Sequence, residues 1–184
     1  WLLSDECYSY LTFAGERFSL GATPEIRERL VIIGSLSKTY AMTGWRLGYA
    51  IAPKGVIAAM QKLQSQSTSN PTSIIQKAAV AALTGPQDCL KEMVAEYIRL
   101  RDRAVGGLRG IPGVQCQKPE GAFYCYPNVS AFFGRGGINS ASDVSSRLLQ
   151  AGVVTVPGEA FGTREHIRVS YPTTQANLDK GVER

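Results

Sequence analysis

A run of four apolar residues, Leu30 to Ile33, breaks into the segment Gly34-Ser-Leu-Ser-Lys-Thr-Tyr-Ala-Met-Thr-Gly-Trp-Arg-Leu-Gly-Tyr49. The run reads as a short buried strand, and it leads into a turn carrying hydroxyls and one lysine. A second strand is expected from Trp45 to Ala52, with Arg46 at its opening, and the short connection favours antiparallel pairing. An amine thus stands just past a strand C-terminus, between a serine and an arginine. In open α/β sheets that edge is where ligands bind.

The rest of the chain supports an α/β reading. Trp1 to Ser4 reads as a buried strand ending at Asp5, and Thr23-Pro24 starts a short helix that leads to Leu30. Pro53 opens a helix to about Ser65, and Asn70-Pro71 caps another, Thr72 to Leu83, stopped by Gly85. A long helix from Pro86 to about Arg109 carries Leu90, Met93, Val94, Tyr97, Leu100, Ala104 and Leu108 on one face. Its length suits an element bridging two domains. Beyond Pro112, strands are expected at Val114 to Gln117, Ala122 to Tyr126, Val153 to Val156 and His166 to Tyr171. Helices are expected from Ser140 to Ala151 and from Thr174 onward. The glycine-rich loop Gly134 to Gly137 reads as a turn.

Composition excludes several classes. The chain has 184 residues, enough for one compact domain or two small ones. With 44% hydrophobic and 19% charged residues it is ordinary globular material. No apolar run approaches the roughly 18 to 20 residues of a membrane span. The formal charge of +5 is scattered along the chain, which argues for a solvated surface and against a nucleic-acid partner. Cys7, Cys89, Cys116 and Cys125 lack Cys-x-x-Cys spacing and there is one histidine, His166, so zinc is not expected. Free thiols in a reducing cytosol are the simplest account. The chain opens at Trp1 inside an apolar strand, so it reads as the C-terminal part of a longer protein.

An amine flanked by phosphate-binding groups suits a phosphorylated aldehyde cofactor held as a Schiff base. Burial beside the strand favours the neutral amine that such chemistry needs at Lys38. Ser35 can donate one hydrogen bond to a phosphate, and Arg46 can grip two of its oxygens. Asp5 can hold a pyridine nitrogen protonated, making the ring an electron sink, and Tyr8 can stabilise the ring oxygen. Arg168, on the alternating strand His166-Ile-Arg-Val-Ser-Tyr171, can bind a carboxylate bidentately. Each also has a plain structural reading: a surface ion pair for Arg46, a turn cap for Asp5, a core phenol for Tyr8 and an edge-strand charge for Arg168. Their joint spacing around Lys38 is the stronger signal.

Four motifs, Ser4-Asp-Glu-Cys-Tyr8, Ser35 to Arg46, Glu120-Gly-Ala-Phe-Tyr124 and His166 to Tyr171, together resemble the class I/II aminotransferases. The similarity runs over essentially the whole chain, in order. The resemblance implies a fold type I pyridoxal-phosphate enzyme related to bacterial aspartate and prephenate aminotransferases. Residues 1–87 would then be the C-terminal part of a large domain with a mostly parallel sheet flanked by helices. Residues 88–184 would be a linking helix and a small α/β domain. It also implies pyridoxal 5'-phosphate as cofactor, with Lys38 as the Schiff-base lysine and proton shuttle. Asp5, Tyr8, Ser35 and Arg46 would be cofactor ligands, Arg168 would bind the substrate α-carboxylate, and Phe123 would wall the cleft. Substrates would be an amino acid with an acidic or aromatic side chain and a 2-oxo acid, and the assembly a cytoplasmic homodimer. Members of the family are roughly twice as long; the remaining half would bring further phosphate, ring and side-chain contacts.

The same anchors would serve a carbon–sulfur lyase, a decarboxylase, a cyclopropane-carboxylate synthase, or a regulator that senses cofactor. A phosphate-loop nucleotide binder is faintly echoed by Ser37-Lys-Thr39. That loop, however, needs a glycine before the lysine and a second one further upstream.

Overall fold

The computed structural model describes residues 1–184, and its contacts divide them into two compact units, Trp1–Glu92 and Met93–Arg184. The division falls inside the longest helix, a few residues beyond the 87/88 boundary expected from the sequence.

The first unit is built on a three-stranded sheet of order β1-β2-β3, with β1 at Leu2–Asp5, β2 at Leu30–Ser35 and β3 at Gly48–Ile51. β1 runs parallel to β2, placing Asp5 beside Ile33, and β3 runs antiparallel, placing Tyr49 beside Gly34. Alternation along β2 buries Leu30 and Ile32 on one face; Leu11 and Leu36 are also buried in this unit. Gly34 continues that buried face, and only glycine fits there. A Cβ at this position would stand 2.2 Å from the Tyr49 ring. A single helical turn, α1 at Leu36–Thr39, leaves β2, and two longer helices come after β3, α2 at Lys54–Ser67 and α3 at Ser73–Thr84. Between these two Asn70 turns its amide to the Pro71 carbonyl, and the N-cap of α3 is Thr72.

Two expectations fail in this unit. The strand at Trp1 to Ser4 exists but is not buried: Trp1 is 75% exposed and Leu3 74%. β1 is an edge strand with one neighbour, and no other segment of the chain covers those side chains. The strand expected from Trp45 begins only at Gly48. Thr43–Trp45 forms a 3-10 turn closed by Arg46 in the left-handed region at φ 53°, so Arg46 precedes the strand.

The second unit holds a mixed layer of short strands and helices. β4 (Tyr124–Cys125), β6 (Ile167–Ser170) and β5 (Val156–Pro157) form an antiparallel sheet with β6 in the middle. Ile167 packs its inner face against Val129, Ala141 and Val144, with Phe132, Phe133, Ile138 and Leu148 around them. Ala141 and Val144 belong to α5, Ala141–Gln150, whose N-cap Ser140 accepts from the Asp143 amide. The long helix α4, Asp88–Gly110, contributes Leu100, Ala104 and Val105 to the buried set. Arg101 is buried too, bonded to Asp102 at 2.8 Å and to the Pro119 carbonyl at 3.2 Å. The last helix, α6, spans Gln175–Glu183 and is capped by Thr174.

Here the expected strands are trimmed by their partners. Val114 to Gln117 is reduced to a single bridge, Gln115 to Asn128. Val153 to Val156 shifts to Val156–Pro157, the only residues that pair with β6. Strands exist only where a neighbour accepts their hydrogen bonds.

Candidate active site

Five of the six candidate residues lie in the first unit: Asp5, Tyr8, Ser35 and Lys38 at or just beyond the C-terminal ends of β1 and β2, and Arg46 just before β3. Asp5 is the last residue of β1 and Ser35 the last of β2, on parallel neighbours. Ser35 ends the strand because its hydroxyl accepts from the Ser37 amide at 3.1 Å, the N-cap contact of α1. Lys38 is thus on a helical turn, between buried Leu36 and Thr39. Its Nζ stands 5.9 Å from the centre of the Tyr8 ring. Gly34 is the only glycine in this turn, unlike a phosphate loop.

Asp5 is tied from one side. Its Oδ1 accepts the Cys7 amide at 3.0 Å. The Cys7 thiol and that amide together hold the Asp5 carboxyl below its usual range, so it stands as an anion. Cys7 responds in the other direction. Burial first, then the hydrogen bond to Asp5, push its thiol up to about 11, while Lys38 pulls the opposite way. The thiol therefore feels both Asp5 and Lys38. Cys7 lies within the Ser4–Tyr8 motif, where the sequence assigns it no role; its part comes from lying two residues beyond Asp5 at the strand end.

Arg46 sits just ahead of β3 on an unusual backbone. Its left-handed φ of 53° and the φ of 53° at Ala41 bracket the loop between the lysine turn and β3. Non-glycine residues hold such angles only where their surroundings impose them. One donor of Arg46, Nη1, goes to the Thr43 carbonyl at 2.9 Å. The donor set of carboxylate, phenol, hydroxyl, amine and guanidinium fits a phosphorylated pyridine aldehyde. The ionised state of Asp5 is what a protonated ring nitrogen requires.

Arg168 belongs to the second unit, on β6, opposite Val156. Its guanidinium carbon is 4.5 Å from the Tyr124 ring centre and 4.6 Å from that of Phe161. Its Nε is buried without a hydrogen-bond partner. Phe123, expected to wall a cleft, packs in the interior against Tyr97 at 5.9 Å and Tyr124 at 4.7 Å. Ala122 beside it is also left-handed, at φ 57°.

Comparison with known proteins shows the family. The model of the family "Aminotransferase class I and II" matches residues 1–184, and the chain belongs to that family. It is 44% identical over 192 residues to an aspartate aminotransferase of Rhizobium meliloti (strain 1021), covering 100% of this chain and 47% of that protein. An aspartate/prephenate aminotransferase of Cereibacter sphaeroides is 42% identical, again over 100% of this chain and 48% of the relative. The crystal structure of the aspartate aminotransferase from Rhizobium meliloti superposes with a TM-score of 0.93 at 43% identity, covering 100% of this chain and 48% of that one. The fold is accordingly that of the fold type I pyridoxal-phosphate enzymes. The chain spans about half the length of the curated relatives it matches.

Proposed function

We propose that the whole protein is a pyridoxal-phosphate-dependent aminotransferase, moving an amino group from an amino acid to a 2-oxo acid. The observation that carries this reading is the placement of Lys38 Nζ over the Tyr8 ring, with the ionised Asp5 on the neighbouring parallel strand. When bound, the cofactor supplies an aldehyde that takes up amines and a ring that withdraws electrons from the adjoining carbon. Lys38 Nζ is the amine that holds it covalently and carries the proton that must move during transfer. Asp5 keeps a negative charge against the ring nitrogen, and the Tyr8 hydroxyl donates to the ring oxygen. Ser35 and Arg46 bind the phosphate, Arg46 with the donors not spent on Thr43. Arg168 binds the substrate α-carboxylate.

In this reading residues 1–87 complete a large cofactor-binding domain, and residues 88–184 are a linking helix and a small domain. The names of the relatives favour an acidic donor such as aspartate, or an acceptor such as prephenate. A homodimer is the assembly the family resemblance implies, and four free thiols suit a reducing, cytoplasmic compartment. No helix is long and apolar enough to cross a membrane.

The test is an assay of the full-length protein with paired amino and 2-oxo acids. Nitrogen transfer that depends on the oxo acid, with ping-pong kinetics, is the expected result. Release of pyruvate and thiol without nitrogen transfer would make it a carbon–sulfur lyase instead.

A further inference from the structure

Two rings close on Arg168 from different elements. Tyr124 comes from β4 and Phe161 from the end of the 3-10 turn Gly158–Phe161, and each ring centre lies about as close to the guanidinium carbon as the other, at 4.5 and 4.6 Å. Phe161 is 46% exposed, an odd place for a phenylalanine unless its face has a task. It is held there firmly. The Gly158 amide donates to the His166 carbonyl at 2.8 Å, and a Cβ on Gly158 would stand 2.4 Å from that oxygen. Gly162 ends the turn in the left-handed region at φ 84°. Tyr126 meets Phe161 edge-on at 6.1 Å, its hydroxyl bonded to Thr163 Oγ1 at 2.6 Å and its ring stacked on His166 at 4.9 Å.

We infer that Tyr124 and Phe161 are positioning residues that clamp the Arg168 guanidinium and set the affinity of this protein for carboxylate substrates. The inference rests on the reading of Arg168 as a carboxylate anchor. No carboxylate of the second unit pairs with Arg168, and its Nε is buried and unbonded, so the two rings are what stabilise the charge before a ligand arrives. A guanidinium offers its donors only in its own plane, and its flat faces are what aromatic rings cover. Rings on Arg168 therefore cover its faces and leave the in-plane N–H groups as the donors for a ligand. A planar carboxylate entering in that plane meets two parallel donors. The clamp also spares the side chain the ordering cost that a free arginine would meet on binding.

The experiment measures binding of a non-reacting dicarboxylate, maleate, and steady-state kinetics in the full-length protein. Phe161→Leu keeps apolar bulk but removes the π face, Phe161→Tyr restores it, and Tyr124→Leu tests the other side. The loss of one cation–π contact of 1–2 kcal/mol corresponds to roughly a 5- to 30-fold weaker Kd and higher KM, with kcat within about twofold. Phe161→Tyr is expected to bind like the wild type. A spectroscopic signature accompanies this: the Arg168 Nε–H resonance, shielded by the rings, moves downfield in Phe161→Leu. If Phe161→Leu and Tyr124→Leu both bind maleate as the wild type does, with that resonance unmoved, the clamp is refuted. Arg168→Gln separates the clamp from the anchor. If it weakens maleate while the ring variants do not, the clamp alone fails; if it leaves maleate binding intact, the carboxylate assignment of Arg168 fails.

Discussion

Tyr171 shows how one phenol can support a strained loop. It is fully buried, and its hydroxyl donates to the Ala122 carbonyl at 3.1 Å, bracing the left-handed residue of the Glu120–Tyr124 motif. Burial pushes its ionisation well above the usual tyrosine range. The neutral form is favoured by folding, so that stability is complete below the ordinary phenol pKa of about 10 and declines as pH rises beyond it. Tyr171→Phe should cost about 1 kcal/mol at neutral pH, from the lost hydrogen bond. The variant should also lose stability less steeply than the wild type above pH ~10, in denaturant melts across that range. Parallel curves for the two proteins would contradict this. At this scale Asp5, Tyr8, Ser35, Lys38 and Arg168 stand out in the sequence as candidates because their chemistry is unusual beside apolar strands. Cys7, Tyr124 and Phe161 do not, because what matters about them is a neighbour brought in by the fold: Phe161 meets Arg168 only after the 3-10 turn folds onto β6.

Strands and helices obey the same division between local and imposed structure. β2 was legible from its apolar run and α5 from its serine cap and closing glycine, both local signals. The Trp45–Arg46 stretch misled because an aromatic beside a long side chain reads as strand. Nothing in the letters announces a left-handed arginine. The closest packing within an element is at Gly34, under the Tyr49 ring. Gly34→Ala should destabilise the first unit by about 1–3 kcal/mol through overpacking. Tyr49→Ser in the same chain should recover much of that, since the obstruction is a side chain. A double-mutant cycle in urea checks this; additive losses would mean that the ring is not what excludes the methyl group.

The whole molecule carries its candidate site residues on two units, and its apolar surface is uneven. In the first unit Trp1, Leu3, Leu63 and Ile74 are each about three-quarters exposed, alongside an open edge at β1. Such patches on a free chain drive association. Residues 1–184 alone should self-associate at micromolar concentration and bind a hydrophobic dye. The pair Leu3→Lys and Ile74→Lys should reduce both effects, as read by sedimentation and fluorescence. A monodisperse wild-type sample would contradict the prediction. The two-part organisation was legible from the length of α4, but the bareness of β1 was not, since an apolar strand reads as buried whether or not anything covers it. The proposed chemistry turns on one nitrogen. Full-length protein incubated with pyridoxal phosphate, reduced with borohydride and digested should carry the added mass on the peptide containing Lys38, and Lys38→Ala should carry none there or elsewhere. An adduct on another lysine, with Lys38 unmodified, would contradict the account.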